Sequence, residues 1–250
     1  MAMNFAGDMP NPSPLSGASK RILAAIGPLI LLVSSATVLW AGLSPASRAE
    51  VAGLVHRMEA AQALVGEYQA ETEVHEYREG RLVETKQFLY TFKKPNHVRI
   101  DMESPYPGMI LAYPDEEGKV AVKPGGWVGF LKLHLSPDSA LLRSSAGQRI
   151  SQTDQGLLIR NIVHSLTDRR RGEIRMADEE GRVFIEVLAD DHFLDGVVTL
   201  YRIAVDKARW LTVEVEELTP DGVPKRKVIF RNVRTLRGVP DSFFRIDGGE

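Results

Sequence analysis

The chain of 250 residues contains no cysteine. No disulfide can hold the fold, no thiolate can act as nucleophile or metal ligand, and no lipobox cysteine can be acylated. Positive charge is not in excess either: 31 basic side chains stand against 33 acidic ones, a net charge of −2. Because Lys20, Arg21 and Arg48, against Asp8 alone, fall in the first 49 residues, the remainder is more acidic still. Binding a phosphate backbone needs a concentrated basic surface, so no nucleic-acid partner is expected. Also missing are a G-x-S-x-G elbow, a Walker loop, a dinucleotide fingerprint, H-E-x-x-H and any paired metal-ligand spacing. The chain therefore reads as a non-enzyme with no catalytic residue, no metal site and no cofactor.

The remaining polar clusters are read in their plainer sense. His56, His75, His97, His134, His164 and His192 are scattered and read as solvated or locally bonded. Asp190, Asp191, His192 and Asp195 form the densest group of potential ligands, but they lack the alternating oxygens of a calcium loop and read as a polar hairpin turn. Arg169, Arg170 and Arg171 read as a solvated helix end, where cations meet the negative end of the helix dipole. Trp127 and Phe130 read first as core residues, with exposed contact residues as the alternative.

What the sequence does have, near its start, is an uncharged apolar run from Ile22 to Leu43, preceded by Lys20-Arg21 and followed by Ser47-Arg48-Ala49. A basic pair, an apolar run and a small-x-small site are the parts of an export signal. As a helix the run would reach roughly 33 Å, enough for a ~30 Å hydrocarbon core, and Trp40 sits where an interfacial anchor would sit. A cleaved signal and an uncleaved inner-membrane anchor over 22–43 both remain open. In either case the bias of positive charge toward the cytoplasm places the rest of the chain outside it, in the periplasm. The domain reading is a disordered leader over 1–19, a signal peptide or anchor over 20–49, and a single domain over 50–250.

Within that domain the hydrophobic period sets the elements. Val51, Leu54, Val55, Met58, Ala61 and Val65 recur at helical spacing over Glu50–Val65, and Gly66 supplies a stop. From Tyr68 the period falls to two, and the chain turns at Glu79-Gly80 into a return strand over Leu82–Lys93, a long hairpin. Strands are predicted over His97–Met102, Gly108–Tyr113, Lys119–Val122 and Trp127–Leu133. A short helix should follow Ser136-Pro137-Asp138 and run to Arg143. A second clear helix, capped by Thr153 or Asp154, carries the stripe Leu157, Leu158, Ile159, Ile162, Val163 and Leu166. Strands over Glu173–Met176, Arg182–Ala189, Val197–Asp206, Trp210–Leu218 and Lys227–Val233 complete the chain.

About ten strands with two or three helices and no βαβ alternation define an α+β, mainly β class with an antiparallel sheet. Accumulated twist curls so long a sheet. Amphipathic helices with no second sheet to cover would plug its inside, leaving an apolar groove or, alternatively, a fully packed core.

The stretch Tyr90-Thr91-Phe92-Lys93-Lys94-Pro95-Asn96-His97-Val98-Arg99-Ile100-Asp101-Met102-Glu103-Ser104-Pro105 resembles the strand-turn-strand signature of the LolA-like family, the outer-membrane lipoprotein carrier superfamily. Looser likeness extends over roughly 50–247, through the leading helix, Leu135-Ser136-Pro137-Asp138 before the interior helix, and the closing Phe243-Phe244-x-Ile246. It is closer still to secreted LolA-like domains of unassigned role, in Gly108 to Tyr113, Arg149-Ile150 and Gly156-Leu157. The resemblance implies an unclosed antiparallel half-barrel whose concave face is covered by helices. Lys94 matches the basic site before Pro, usually Arg, that helps latch the carrier's lid. Lysine offers a point charge without a planar bidentate fork. The aromatic-rich strand of the carrier is here Val120-Ala121-Val122-Lys123.

The expected function is non-enzymatic binding or carriage of acyl chains, from a lipid or an acylated lipoprotein, by a periplasmic monomer, with a membrane-protein partner for loading or release. The groove is expected to be lined by Phe88, Tyr90 and Phe92 on one strand, Met109 and Leu111 on another, and Leu158, Ile162 and Leu166 from the covering helix, with Lys94 at the latch. The alternative is an envelope stress sensor or assembly factor that binds a protein through the same fold.

Overall fold

Among the described residues, alternating side chains and polar turns build one antiparallel sheet of twelve strands, in the order β1-β8-β9-β10-β11-β12-β2-β3-β4-β5-β6-β7, in which the two edge strands do not pair. The structure is a computed structural model and describes residues 40–142, 144, 147–167 and 173–246. The leader, the basic pair, most of the apolar run, Arg143 and the triple arginine fall outside the described residues. Among the described residues no helix is long and apolar enough to cross a membrane.

The strands are β1 (Ser44–Pro45), β2 (Glu67–Arg78), β3 (Arg81–Lys93), β4 (His97–Ser104), β5 (Ile110–Tyr113), β6 (Val120–Lys123), β7 (Leu133–Leu135), β8 (Arg175–Glu179), β9 (Arg182–Asp190), β10 (Val198–Asp206), β11 (Leu211–Leu218) and β12 (Pro224–Thr235). Among the described residues the α-helices are α1 (Arg48–Leu64) and α2 (Gln155–Thr167). Glu79 and Gly80 both take positive φ, as the tight β2–β3 turn requires. The α+β, mainly β class and the open half-barrel follow from this topology.

Two groups of buried side chains occupy the concave face. Leu54 and Met58 of α1 and Ile159, Ile162 and Leu166 of α2 pack on Val183, Ile185, Val187 and Ala189 of β9, Tyr201, Ile203 and Val205 of β10, and Val215 of β11. Over β2 to β6 the helices are replaced by the long β6–α2 connection. Leu135, Leu142 and Ile150 from that connection pack on Tyr68, Tyr90, Phe92, Val98, Val120 and Val122. The outer face is covered at one end by the segment before α1 and at the other by the segment after β12. Trp40 and Leu43 lie on Ala177, Phe184, Ala204 and Val213, and Ile246 lies on Ile110, Ala112 and Ala121.

Three sequence readings are corrected. Trp127–Leu133 is not a strand: Gly126 adopts φ +66°, and turns close from Gly129 N to Gly126 O and from Leu131 N to Val128 O, so pairing starts only at Leu133. Trp127 and Phe130 accordingly stand 88% and 74% exposed rather than in the core. The stretch after Ser136 forms only a single 3-10 turn, Ala140–Leu142, within the described residues. Residues 40–49 are part of the folded domain. Ser47 caps α1 in a reciprocal box with Glu50, its Oγ accepting from Glu50 N and its own N donating to the Glu50 carboxylate.

Candidate functional site

Cross-strand register sorts the inner face into rows. Tyr201, Glu217, Arg226 and Glu76 are successive partners on β10, β11, β12 and β2. Two residues along each strand comes a fully apolar row, Ile203, Val215, Val228 and Val74. Phe230, Thr72 and Phe88 follow on β12, β2 and β3, and then Ala70, Tyr90 and Ile100 on β2, β3 and β4. Polarity thus falls from one end of the face toward the other.

Above these rows α2 and the β6–α2 connection stop short of complete contact and leave a cavity. Its walls are Val74, Phe88, Tyr90, Ile100, Ile203, Val215, Val228 and Phe230 from the sheet and Leu158 from α2, with Gln148, Gln152, Thr153, His192 and Phe193 around them. The cavity volume is about 90 Å³. The shape is a narrow slot between packed walls. Mostly apolar lining with a few placed polar groups is what a small-molecule site requires.

The lid over the slot is held by directional contacts. Tyr90 Oη lies 3.1 Å from Thr153 Oγ1, and Tyr68 Oη accepts from Gln155 N at 3.1 Å. Burial pushes both phenols above their ordinary range, so both stay protonated. Asp154 Oδ1 caps α2 by accepting from Leu157 N at 2.9 Å, as the sequence reading expected. The β9–β10 turn is tied to α2 through His192, whose Nε2 is 2.7 Å from Ser165 Oγ and whose ring stacks on Tyr201 at 4.2 Å. Burial pushes His192 down to about 4, leaving it neutral near pH 7. Ser165 Oγ also donates to Asn161 O at 3.0 Å. Among the described residues no three His, Asp or Glu side chains converge as a metal site.

The sequence-predicted residues divide between the slot and the packed core. Phe88, Tyr90 and Leu158 line the slot. Phe92, with Met109 and Leu111 packed against it, belongs to the cluster under the β6–α2 connection, and Ile162 and Leu166 belong to the helix-covered cluster. Lys94 Nζ donates to the carbonyls of Gln62 at 2.9 Å and Ala63 at 3.4 Å, so its cation holds the C-terminal end of α1. Missed by the sequence reading were the walls from β10 to β12 and the polar row at one end. Alternation in Val74 and Thr72, or Val228 and Phe230, marks a half-buried strand, but only the register shows that these residues meet.

Fold and cavity together define an unclosed antiparallel half-barrel with a covered apolar slot. No family model matches the chain, and no curated protein does. Among solved structures it is similar to a LolA superfamily protein from Nitrosomonas europaea, at 10% identity and a TM-score of 0.36 over 79% of this chain and 98% of that one. It is also similar to the lipoprotein LppX of Mycobacterium tuberculosis, at 8% identity and a TM-score of 0.44 over 78% and 100% of the two chains. A third likeness is to the Pseudomonas aeruginosa MucA/MucB complex structure, at 11% identity and a TM-score of 0.40 over 78% of this chain and 60% of that one. All three scores lie below 0.5, and the fold stands on its own strand register.

Proposed function

We propose that the protein binds a single acyl chain, carried by a lipid or an acylated lipoprotein, in the slot between sheet and lid, and that it does so outside the cytoplasm. The observation that carries this reading is the apolar slot on the concave face of an open sheet, walled by Val74, Phe88, Ile100, Ile203, Val215, Val228 and Phe230. Each buried methylene contributes ~0.8 kcal/mol, so one long chain supplies enough free energy for roughly micromolar binding after association costs. No step of bond making or breaking is needed. Native mass spectrometry of protein purified from a host envelope tests the reading. A copurified species with the mass of an acyl lipid, displaceable by an added fatty acyl compound, is expected; an empty protein that takes up no added acyl compound overturns it.

One observation favours a second reading, recognition of a protein partner. Trp127, Phe130 and Leu131 are exposed on the β6–β7 connection, away from any strand ladder. A Trp127→Ala/Phe130→Ala variant that loses a partner while retaining lipid would separate that role from the slot.

A further inference from the structure

Within the slot, the polar row is the feature that acyl binding alone does not use. Glu217 is buried, Arg226 has a side chain only 10% exposed, and both line the cavity. Arg226 Nη1 donates to Gln148 Oε1 at 3.1 Å and, at 3.5 Å, to Glu217 Oε1. Its Nε has no hydrogen-bond acceptor, and the Glu76 carboxylate stands 3.6 Å away. A second cavity-lining group, Thr72 Oγ1, is likewise buried without a partner, two rows nearer the apolar end. A buried N–H with no acceptor in hydrogen-bond range is costly, so the Arg226 end of the slot is built to receive an oxygen.

Charge decides which kind of oxygen. The guanidinium already faces two carboxyl groups, and Asp191 adds a third acid close by, itself bonded to Lys225 Nζ at 3.1 Å and Thr199 Oγ1 at 2.6 Å. Burial holds the Glu217 carboxyl above the usual carboxylate range, and the Arg226 guanidinium beside it works against that shift. His192 is neutral. A carboxylate or phosphate head would enter beside Glu76 and Glu217 with no spare cation to meet it. An alkylammonium head would find its place taken by Arg226.

We infer that the slot selects amphiphiles with an uncharged, oxygen-bearing head, an ester or a hydroxyl, whose oxygen accepts from Arg226 Nε while the chain runs over Val74, Val228 and Phe230. This rests on the acyl-binding reading above and names its ligand class. The test measures affinities of the wild-type protein at pH 7.5 for three probes of equal chain length: monopalmitoylglycerol, palmitate and hexadecylamine. The glycerol ester should bind at least about tenfold more tightly than either charged probe. Arg226→Met should reduce that ratio to within about threefold. Equal binding of all three probes, or tighter binding of a charged one, overturns the head-group inference and leaves the acyl slot standing. If none of the three binds, the acyl reading itself fails. The wild-type series decides the matter even where Arg226→Met does not fold.

Discussion

The two halves of the concave face are closed by different means. Over β9 to β11 two helices interlock with the sheet through Ile159 and the fully buried Leu54, Met58 and Ile162. Over β2 to β6 the cover is an irregular connection that contributes few apolar side chains and is held by Tyr90–Thr153, next to the bond from Gln155 N at the start of α2 to Tyr68. Burial of apolar area is non-directional and stable to small shifts, whereas a few hydrogen bonds fix one geometry and can be exchanged for water or ligand contacts. The slot lies where these two kinds of cover meet. A rigid half therefore supplies the wall, and the hydrogen-bonded half supplies the part able to give way.

The largest contrast should come from truncating one buried isoleucine on each side. Ile162→Ala should cost roughly 2–5 kcal/mol of unfolding free energy, the range for well-packed core sites. Ile150→Ala, in the connection, should cost less because its neighbours can collapse around it; urea unfolding of both variants checks the order. Next in size is the loss of residues 40–49. A chain starting at Glu50 should be less stable than one starting at Trp40 by roughly 2–4 kcal/mol, since it loses the Leu43 and Trp40 cover and the Ser47 cap. Thermal unfolding of the two chains measures this. Equal stability would mean that a processing site at Ala49 costs the fold nothing.

How much of this was legible in the sequence follows from which features are local. The long hairpin, both helices and the last five strands announce themselves through their period and through turns such as Glu79-Gly80. Trp127–Leu133 misled because its apolar residues look strand-like, while Gly126 at positive φ and Gly125, where a Cβ would meet Pro107 O at 2.1 Å, impose a tight bend. The role of residues 40–49 was hidden because one apolar run ends inside a folded segment. Phe88, Tyr90 and Leu158 were legible as wall residues through period alone. Glu217 and Arg226 were not, because they are nine residues apart on separate strands and only the β11–β12 register joins them.

Acidification should distinguish the halves further. His192 has a folded value of about 4 against an ordinary 6.5, so the unfolded chain binds the proton first. Stability linked to this residue is complete above about pH 6.5 and is lost as pH falls toward 4, by about 1–3 kcal/mol, and His192→Asn should flatten that slope in a stability–pH series. The smallest effect is expected from Tyr90→Phe. Losing the contact to Thr153 should lower stability by about 1 kcal/mol while raising amide exchange in 147–153 more than in α2.

The most direct test of the central claim, that an acyl chain lies in the slot between the rigid and the yielding half, is the affinity of a fluorescent acyl probe for wild type and Leu158→Trp. Leu158 faces the slot from α2 and is only half-buried, so a larger side chain fills the space without displacing the core. Binding at least about tenfold weaker is expected, with a melting temperature within a few degrees of wild type. Undiminished binding by a folded Leu158→Trp protein would place the chain elsewhere and contradict that claim.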